Sequence, residues 1–287
     1  MENKYDISLV ASANRHTLAN GFKNWERFMN SLSENTIKFE VIFVGDSECP
    51  YPMPENFKWI KASVKPSQCY QIGFWASKAE LIHWTADDAD YNSPKNNCPN
   101  ALDIAYKCYK DAEKKYGDNK TMVAFNPCED GGWPQEKWHY LFGGCPWSPR
   151  MAPFGLLDRE FFLNDIKGYP NDHVSGQTEN SVIMSGLALG GRVEFCKTAT
   201  LYVHHKMVHP KNSTGQEIND FRKWYPEDRK ALENRWIVSG YGSYEQYTAD
   251  QLKNIVEVSN TPLVPITPFK NTKDICSITQ GTKGHWE

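Results

Sequence analysis

Three carboxylates follow a short apolar run in the first third of the chain. Residues 81–86 are apolar enough for a strand buried in a sheet, and Asp87, Asp88 and Asp90 come directly after them. Side chains two residues apart in an extended backbone point to one side, so Asp88 and Asp90 can act together. Two such carboxylates suit Mg²⁺ or Mn²⁺, which proteins hold with one or two acids plus substrate phosphates. The alternative is a solvated acidic turn.

Strand and helix patterns before the acids place them at one edge of a sheet. Strands are predicted at residues 6–11, 39–44 and 57–60, and amphipathic helices at 17–32 and 68–79. This alternation is typical of an α/β fold with a mostly parallel central sheet flanked by helices. Ligands of such sheets bind beyond the carboxyl ends of the strands, which is where the acids lie.

The chain after the acids continues the same alternation. Helices are predicted at 99–116, 158–166 and 179–189, and strands at 122–125, 192–196 and 200–203, with a Gly- and Trp-rich loop at 126–153. His204 and His205 follow the last strand. Since a neutral imidazole binds Mn²⁺, one of these two residues is a plausible third metal ligand.

Residues 206–287 have a different, more polar character. Pro226 opens one predicted helix and residues 248–251 form a capping box for another, whereas no strand pattern extends the sheet. We therefore predict a first domain over residues 1–205 and a helical or irregular extension over 206–287 that packs on it. We expect the extension to cover one side of the site formed by the acids.

Composition excludes several classes of protein. The 287 residues are 40% hydrophobic with a net charge of −3, which is typical of a globular protein and argues against one that binds nucleic acid by bulk charge. The N-terminal residues lack a secretory pattern and no run is long enough to span a membrane, so a cytoplasmic location is expected. The eight cysteines show no CxxC pair, so free thiols are expected.

The order of these signals resembles the family 2 type of glycosyltransferases with the GT-A fold, the nucleotide-diphospho-sugar transferase fold, over residues 6–205. The segments that carry the resemblance are ISLVASANR, VIFVGDS, SQCYQIGFWASKAELIHWTADDAD, FGLLDREFFLNDIKGYP and GQTENSVIMSGLALGG. Asp88 and Asp90 take the positions of the family's DxD motif. Two positions depart from the pattern: Gly45 replaces the first of two acids, and Thr178–Glu179 replaces a Glu-Asp pair.

The resemblance implies an enzyme that transfers a sugar from a nucleoside-diphosphate sugar to an acceptor hydroxyl, with Mn²⁺ or Mg²⁺ and with inversion. Asp88, Asp90 and His205 (or His204) would hold the metal. The general base would be Glu179, with Asp172 in reserve. The residues expected to bind the donor nucleotide are Ser12, Asn14, Arg15, Asp46, Asp87 and Asp88.

Other functions remain open from sequence alone. A nucleotidyltransferase shares the α/β class and the acid pair, but it is expected to have a Gly-rich loop after its first strand, where residues 12–15 read SANR. A non-catalytic sugar- or nucleotide-binding module is supported by the missing Glu-Asp pair. The acceptor is not identified: a glycan, a lipid-linked sugar, a protein or a hydroxylated nucleic-acid base all fit.

Overall fold

The structure is a computed structural model of the chain. It describes residues 4–13, 21–46, 48–92, 98–129, 154–170, 172–174, 176, 178–204, 225–238, 255–257 and 275–280. Asn14, Arg15 and His205, and the capping box at 248–251, lie outside these residues.

A nine-stranded mixed sheet forms the centre of the described residues, in the order β11-β3-β2-β1-β4-β7-β6-β8-β5. The strands are β1 Ile7–Ser12, β2 Phe39–Gly45, β3 Phe57–Ala62, β4 Leu81–Trp84, β5 Ala89–Asp90, β6 Thr121–Glu129, β7 Gly155–Asp158, β8 Arg192–Val203 and β11 Ile275–Gln280. A separate antiparallel pair is formed by β9 Trp236–Val238 and β10 Ile255–Glu257.

Most strands of the sheet run in one direction. β1 pairs in parallel with β2 and β4, β2 with β3, and β6 with β8, while β7 lies antiparallel between β4 and β6. The carboxyl ends of β1, β2, β3, β4, β6 and β8 therefore meet at one edge, which we call the carboxyl edge. The mostly parallel sheet predicted from the sequence is confirmed, with antiparallel strands inserted at β7 and at both ends.

Helices cover both faces of the sheet. The helices are α1 Gly21–Ser31, α2 Pro66–Ala76, α3 Ala101–Tyr116, α4 Thr178–Ala188 and α5 Tyr225–Arg235, with a π-helical segment at Phe161–Ile166. On one face α1 and α3 pack on the sheet, where the rings of Phe28 and Phe43 lie 5.3 Å apart. On the other, α2 meets the π-helical segment, with Phe74 and Phe162 centroids 4.8 Å apart. Two buried apolar layers thus fix the sheet between the helices.

The polar C-terminal segment contributes to the sheet, contrary to the sequence prediction. β11 pairs antiparallel with β3, so the expectation that no strand of residues 206–287 extends the sheet is wrong. An edge strand needs only one apolar face, and Ile275 and Ile278 are three residues apart, so the segment lacks the period-2 alternation that marks a strand. The helix predicted to open at Pro226 is confirmed as α5.

No helix of the described ranges has both the length and the apolar character required to cross a membrane.

Candidate functional site

Asp90 lies at the carboxyl edge with both of its carboxylate oxygens engaged. Its Oδ1 accepts a hydrogen bond from Nε of Arg27 at 2.7 Å, and its Oδ2 lies 2.6 Å from Nε2 of His204. Its side chain is only 14% exposed, so both contacts are shielded from solvent. The structure therefore places Asp90 between a guanidinium and an imidazole, each of which contacts one of its carboxylate oxygens.

The strands β5 and β8 bring His204 to the acids. Ala89 pairs with Val203 and Asp90 with Tyr202, and the amide of His204 donates to the carbonyl oxygen of Asp88 at 2.9 Å. The short strand β5 begins opposite the end of β8, so His204, the residue after β8, lies next to the acids. Of the two histidines predicted as metal ligands, His204 meets Asp90, and His205 lies outside the described residues.

Asp87 and Asp88 are buried rather than solvated. Their exposed fractions are 5% and 2%, which excludes the solvated acidic turn weighed from the sequence. A buried carboxylate is costly unless charges or hydrogen bonds compensate it, so a chain that buries two adjacent acids holds them in a defined structure. The backbone oxygen of Asp87 lies 3.5 Å from the Arg27 guanidinium, which also binds Asp90.

A buried polar network supports this turn from below. Nδ1 of His83 lies 2.8 Å from the carbonyl oxygen of Gly155, so Nδ1 carries the proton and Nε2 accepts from the Tyr91 hydroxyl at 2.6 Å. The Tyr91 oxygen lies 2.5 Å from the hydroxyl of Thr85. Burial lowers the pKa of His83 to about 4, which keeps this imidazole neutral. Tyr91 follows Asp90 directly, so the network fixes the C-terminal side of the acidic turn.

Glu179 lies in the first turn of α4 with both carboxylate oxygens engaged. The Tyr169 hydroxyl donates to Oε1 at 3.1 Å, and the Thr178 hydroxyl donates to Oε2 at 3.0 Å. Burial raises the pKa of Glu179 above its ordinary value, although these hydroxyls and the nearby His173 oppose the rise. A carboxylate with a raised pKa and fixed orientation has the properties of a general base.

Asp172 and His173 form a pair in the loop before α4. Nδ1 of His173 lies 2.7 Å from Oδ1 of Asp172, whose side chain is 36% exposed, whereas the His173 side chain is fully buried. The hydroxyl of Ser67, at the start of α2, lies 2.9 Å from the carbonyl oxygens of His173 and Val174. Because α2 begins soon after β3 ends, this loop and Glu179 belong to the carboxyl edge.

The predicted donor residues on β1 and β2 lie at the same edge. Ser12 ends β1 opposite Val44 and is half-buried, and Asp46 follows β2 and is exposed. A Cβ added to Gly45 would lie 2.6 Å from the Trp59 indole, so the ring occupies the space that the family's first acid would need. Asn14 and Arg15 lie outside the described residues and stay predictions.

The side chains of Asp90 and His204 are of types that bind divalent metal ions. Asp90 and His204 supply oxygen and nitrogen side by side, which suits Mn²⁺ and also Mg²⁺ where water completes the shell. Among the residues that the structure describes, no group of three His, Cys, Asp or Glu side chains is arranged to hold an ion. The metal assignment therefore stays a prediction.

Three residues that make contacts at the site could not be predicted from the sequence. Arg27 sits mid-helix in α1 without any local signal, and Tyr169 is marked only as part of a helix stop. Asp228, a buried acid of α5, accepts hydrogen bonds from the loop before α4. Each contact joins residues more than eight positions apart, which a local pattern does not reveal.

Comparison with solved structures identifies the fold. A crystal structure of S. aureus TarS 1–349 with UDP-GlcNAc superposes with a TM-score of 0.52 at 12% identity, covering 79% of this chain and 65% of that one. The chain has the fold of TarS. The UDP complex of TarS 1–349 gives a TM-score of 0.51 at 12% identity, covering 79% of this chain and 64% of that one. A crystal structure of S. aureus TarS gives 0.51 at 13% identity, covering 79% and 39%. The predicted GT-A architecture is confirmed.

The chain spans just under two thirds of TarS 1–349, so the likeness concerns architecture and not the whole protein. No protein-family model matches the sequence, and no curated protein matches it.

Proposed function

We propose that the chain is a metal-dependent glycosyltransferase that transfers a sugar from a nucleoside-diphosphate sugar to an acceptor hydroxyl with inversion. The observation that carries the proposal is the Asp90–His204 pair beside the buried Asp87 and Asp88, at the carboxyl edge of a fold shared with a protein crystallised with UDP-GlcNAc and UDP. Ligands of open α/β sheets bind at this edge.

The leaving group requires positive charge. As the bond between the anomeric carbon and the diphosphate oxygen breaks, negative charge develops on the nucleoside diphosphate. A divalent ion held by Asp88, Asp90 and His204 (or His205) would neutralise that charge as a Lewis acid. Arg27 already pairs with Asp90 at 2.7 Å and orients its carboxylate.

The acceptor requires a base. We assign this role to Glu179, which would take the proton of the acceptor hydroxyl as its oxygen bonds to the anomeric carbon. Tyr169 and Thr178 fix the carboxylate through one hydrogen bond on each oxygen. Attack from the face opposite the leaving group inverts the configuration. Asp172 stays the reserve base, although its hydrogen bond to the buried His173 already engages one of its oxygens.

The donor nucleotide would lie along the ends of β1 and β2. Ser12, Asp46 and the segment with Asn14 and Arg15 are the proposed contacts, with Asp87 and Asp88 beside them. The Trp59 ring fills the place of the first acid, at the end of β2, so recognition of the nucleobase would rest on Asp46 alone.

Product analysis tests the proposal. Purified protein is incubated with a panel of nucleotide sugars, beginning with UDP-GlcNAc, in Mn²⁺, in Mg²⁺ and in EDTA after metal stripping. We expect slow metal-dependent release of the nucleoside diphosphate with the sugar transferred to water. A parallel incubation with nucleoside triphosphates and sugar 1-phosphates tests the alternative, because release of pyrophosphate there would indicate a nucleotidyltransferase. Activity that persists in EDTA would contradict the metal assignment. Binding without any turnover would indicate a non-catalytic module.

A further inference from the structure

Asp228 of α5 binds the loop that precedes Glu179. Its Oδ1 accepts the amide of Val174 at 2.7 Å and its Oδ2 accepts the amide of Gly176 at 2.8 Å. The residue is completely buried, as is Leu232 one turn later on the same face of the helix. A buried carboxylate with an amide hydrogen bond on each oxygen is a strong and directional contact.

The same loop is held from its other side by α2. The Ser67 amide donates to the carbonyl oxygen of Val174 at 3.1 Å, and the Ser67 hydroxyl lies 2.9 Å from the carbonyl oxygens of His173 and Val174. Amides of the loop thus point to α5 and carbonyls to α2. The loop is held between two helices whose contacting residues, Ser67 and Asp228, are more than 150 positions apart in sequence.

We propose that Asp228 is a positioning residue for Glu179, an inference that rests on the proposed function. Only Gln177 separates Gly176 from α4, whose first two residues are Thr178 and Glu179. The position of Gly176 therefore sets where α4 begins, and with it the position of the Glu179 carboxylate relative to the Tyr169 hydroxyl. A segment far from the acidic turn thereby controls the geometry of the base.

The structure also shows why this role requires a carboxylate. Asp228→Asn offers one oxygen and one NH₂ group to two backbone N–H donors. One of the two amides loses its acceptor and faces a donor, and a buried N–H without a partner is costly. The loop is then expected to shift or fluctuate, and Glu179 moves with it.

The test compares Asp228→Asn with Glu227→Gln, a matched control that changes an exposed acid in the same helical turn. The donor is UDP-GlcNAc, or whichever panel member gives the highest wild-type turnover, with Mn²⁺. Calorimetric titration gives the donor affinity and the fraction of protein that binds donor, and turnover is normalised to that fraction. We expect Asp228→Asn to lower kcat at least tenfold with donor affinity within threefold, and Glu227→Gln to match the wild type.

The pH profile of kcat separates positioning from a loss of folded protein. Thr178, Tyr169 and His173 face Glu179, and a displaced loop changes their contacts with its carboxylate. We therefore expect the acid limb of the profile to move in Asp228→Asn. Loss of folded protein alone lowers the amount of donor-binding enzyme and leaves the limb in place.

The inference would be overturned if Asp228→Asn had the wild-type turnover per donor-binding molecule. It would also be overturned if the acid limb of the pH profile of kcat stayed where it is in the wild type. If Asp228→Asn does not fold, Ser67→Ala is the variant to test. It removes the hydroxyl that holds the same loop to α2 but keeps the hydrogen bond from the Ser67 amide to the Val174 carbonyl oxygen. A lowered kcat with normal donor affinity then supports the positioning of Glu179 by the loop, and a wild-type kcat overturns it. A wild-type protein without turnover on any donor would contradict the proposed function instead.

Discussion

At the scale of single residues, Glu179 combines burial with two oriented hydroxyl donors. Its pKa is raised by burial, so the folded state holds the proton to a higher pH than the unfolded chain, whose ordinary glutamate value is 4.5. The contribution of Glu179 to stability is then complete below that value and is lost as the pH rises through the folded pKa. Activity should instead rise as the pH rises through the folded pKa of Glu179, because a general base must be deprotonated to accept a proton.

Glu179→Gln tests this assignment. We expect transfer or hydrolysis to fall on the order of 10²-fold or more, the scale of a positioned general base, with donor affinity within a few-fold. The melting temperature at pH 7 should equal or exceed that of the wild type, because the buried charge is removed. A variant with near-normal turnover and a lower melting temperature would show that Glu179 only stabilises the helix. Asp172→Asn would then be the next variant.

Asp90→Asn tests the metal site. The amide keeps the size of the side chain but loses the charge that binds both Arg27 and a divalent ion, so we expect Mn²⁺ affinity to fall at least about tenfold. Free Mn²⁺ is counted by electron paramagnetic resonance, and circular dichroism checks the fold. Glu34→Gln, an exposed acid after α1, serves as the control. Equal Mn²⁺ binding by Asp90→Asn and the wild type would exclude Asp90 as a ligand.

At the scale of secondary-structure elements, the packing of β3 on β2 explains why Gly45 stands where the family pattern has an acid. The Trp59 indole of β3 packs over Gly45 at the end of β2, and it also meets the ring of Tyr51 at 5.7 Å between centroids. A rigid, fully buried ring on this position leaves no room for a side chain at residue 45. Packing between neighbouring strands, and not the chemistry of the site, thus explains the missing acid.

Gly45→Asp should therefore destabilise the protein by about 1–3 kcal/mol, the usual cost of overpacking. Urea unfolding of Gly45→Asp, Trp59→Leu and the double variant measures the coupling between the two positions. We expect the double variant to be more stable than the sum of the single changes implies, by about 1 kcal/mol or more. Simple additivity would mean that the ring is not what excludes the acid.

Most helices and strands of the fold could be predicted from the sequence alone, and a few could not. Strands with buried apolar runs, such as β1, β2 and β4, and the helices with clear periodicity were predicted with ends within a few residues. Asp88 and Asp90 were placed at the carboxyl edge for the same reason. β5 was missed because two residues carry no periodicity, and the predicted strands at 192–196 and 200–203 form the single strand β8, which shifts register against β6.

At the scale of the whole molecule, two contacts among the described residues connect the C-terminal segment to a sheet edge and to the candidate site. β11 pairs with the edge strand β3, and Asp228 binds the loop before Glu179. Neither contact could be predicted from sequence, because each joins residues separated by more than 50 positions and depends on tertiary packing. The segment that the sequence marks only as polar thus reaches both a sheet edge and the candidate base.

Two truncations separate these contacts. A chain of residues 1–205 loses both, and we expect a lower melting temperature and little turnover. A chain of residues 1–274 loses β11 and keeps Asp228, so it should be less stable, with β3 as an unprotected edge, yet retain kcat per folded molecule. Full turnover and stability in the 1–205 chain would show that the segment has no part in the site. Transfer measured beside hydrolysis also shows whether it affects acceptor use.

Thermal unfolding with nucleotide sugars tests the central claim most directly. A ligand present at about 100 times its Kd stabilises the folded state by about 2.7 kcal/mol, which raises the melting temperature of a chain of this size by several degrees. We expect at least one nucleoside-diphosphate sugar to give such a shift with Mn²⁺ or Mg²⁺, and to lose most of it in EDTA or in Asp90→Asn. If no nucleotide sugar shifts the melting temperature with either metal, the proposed function is wrong.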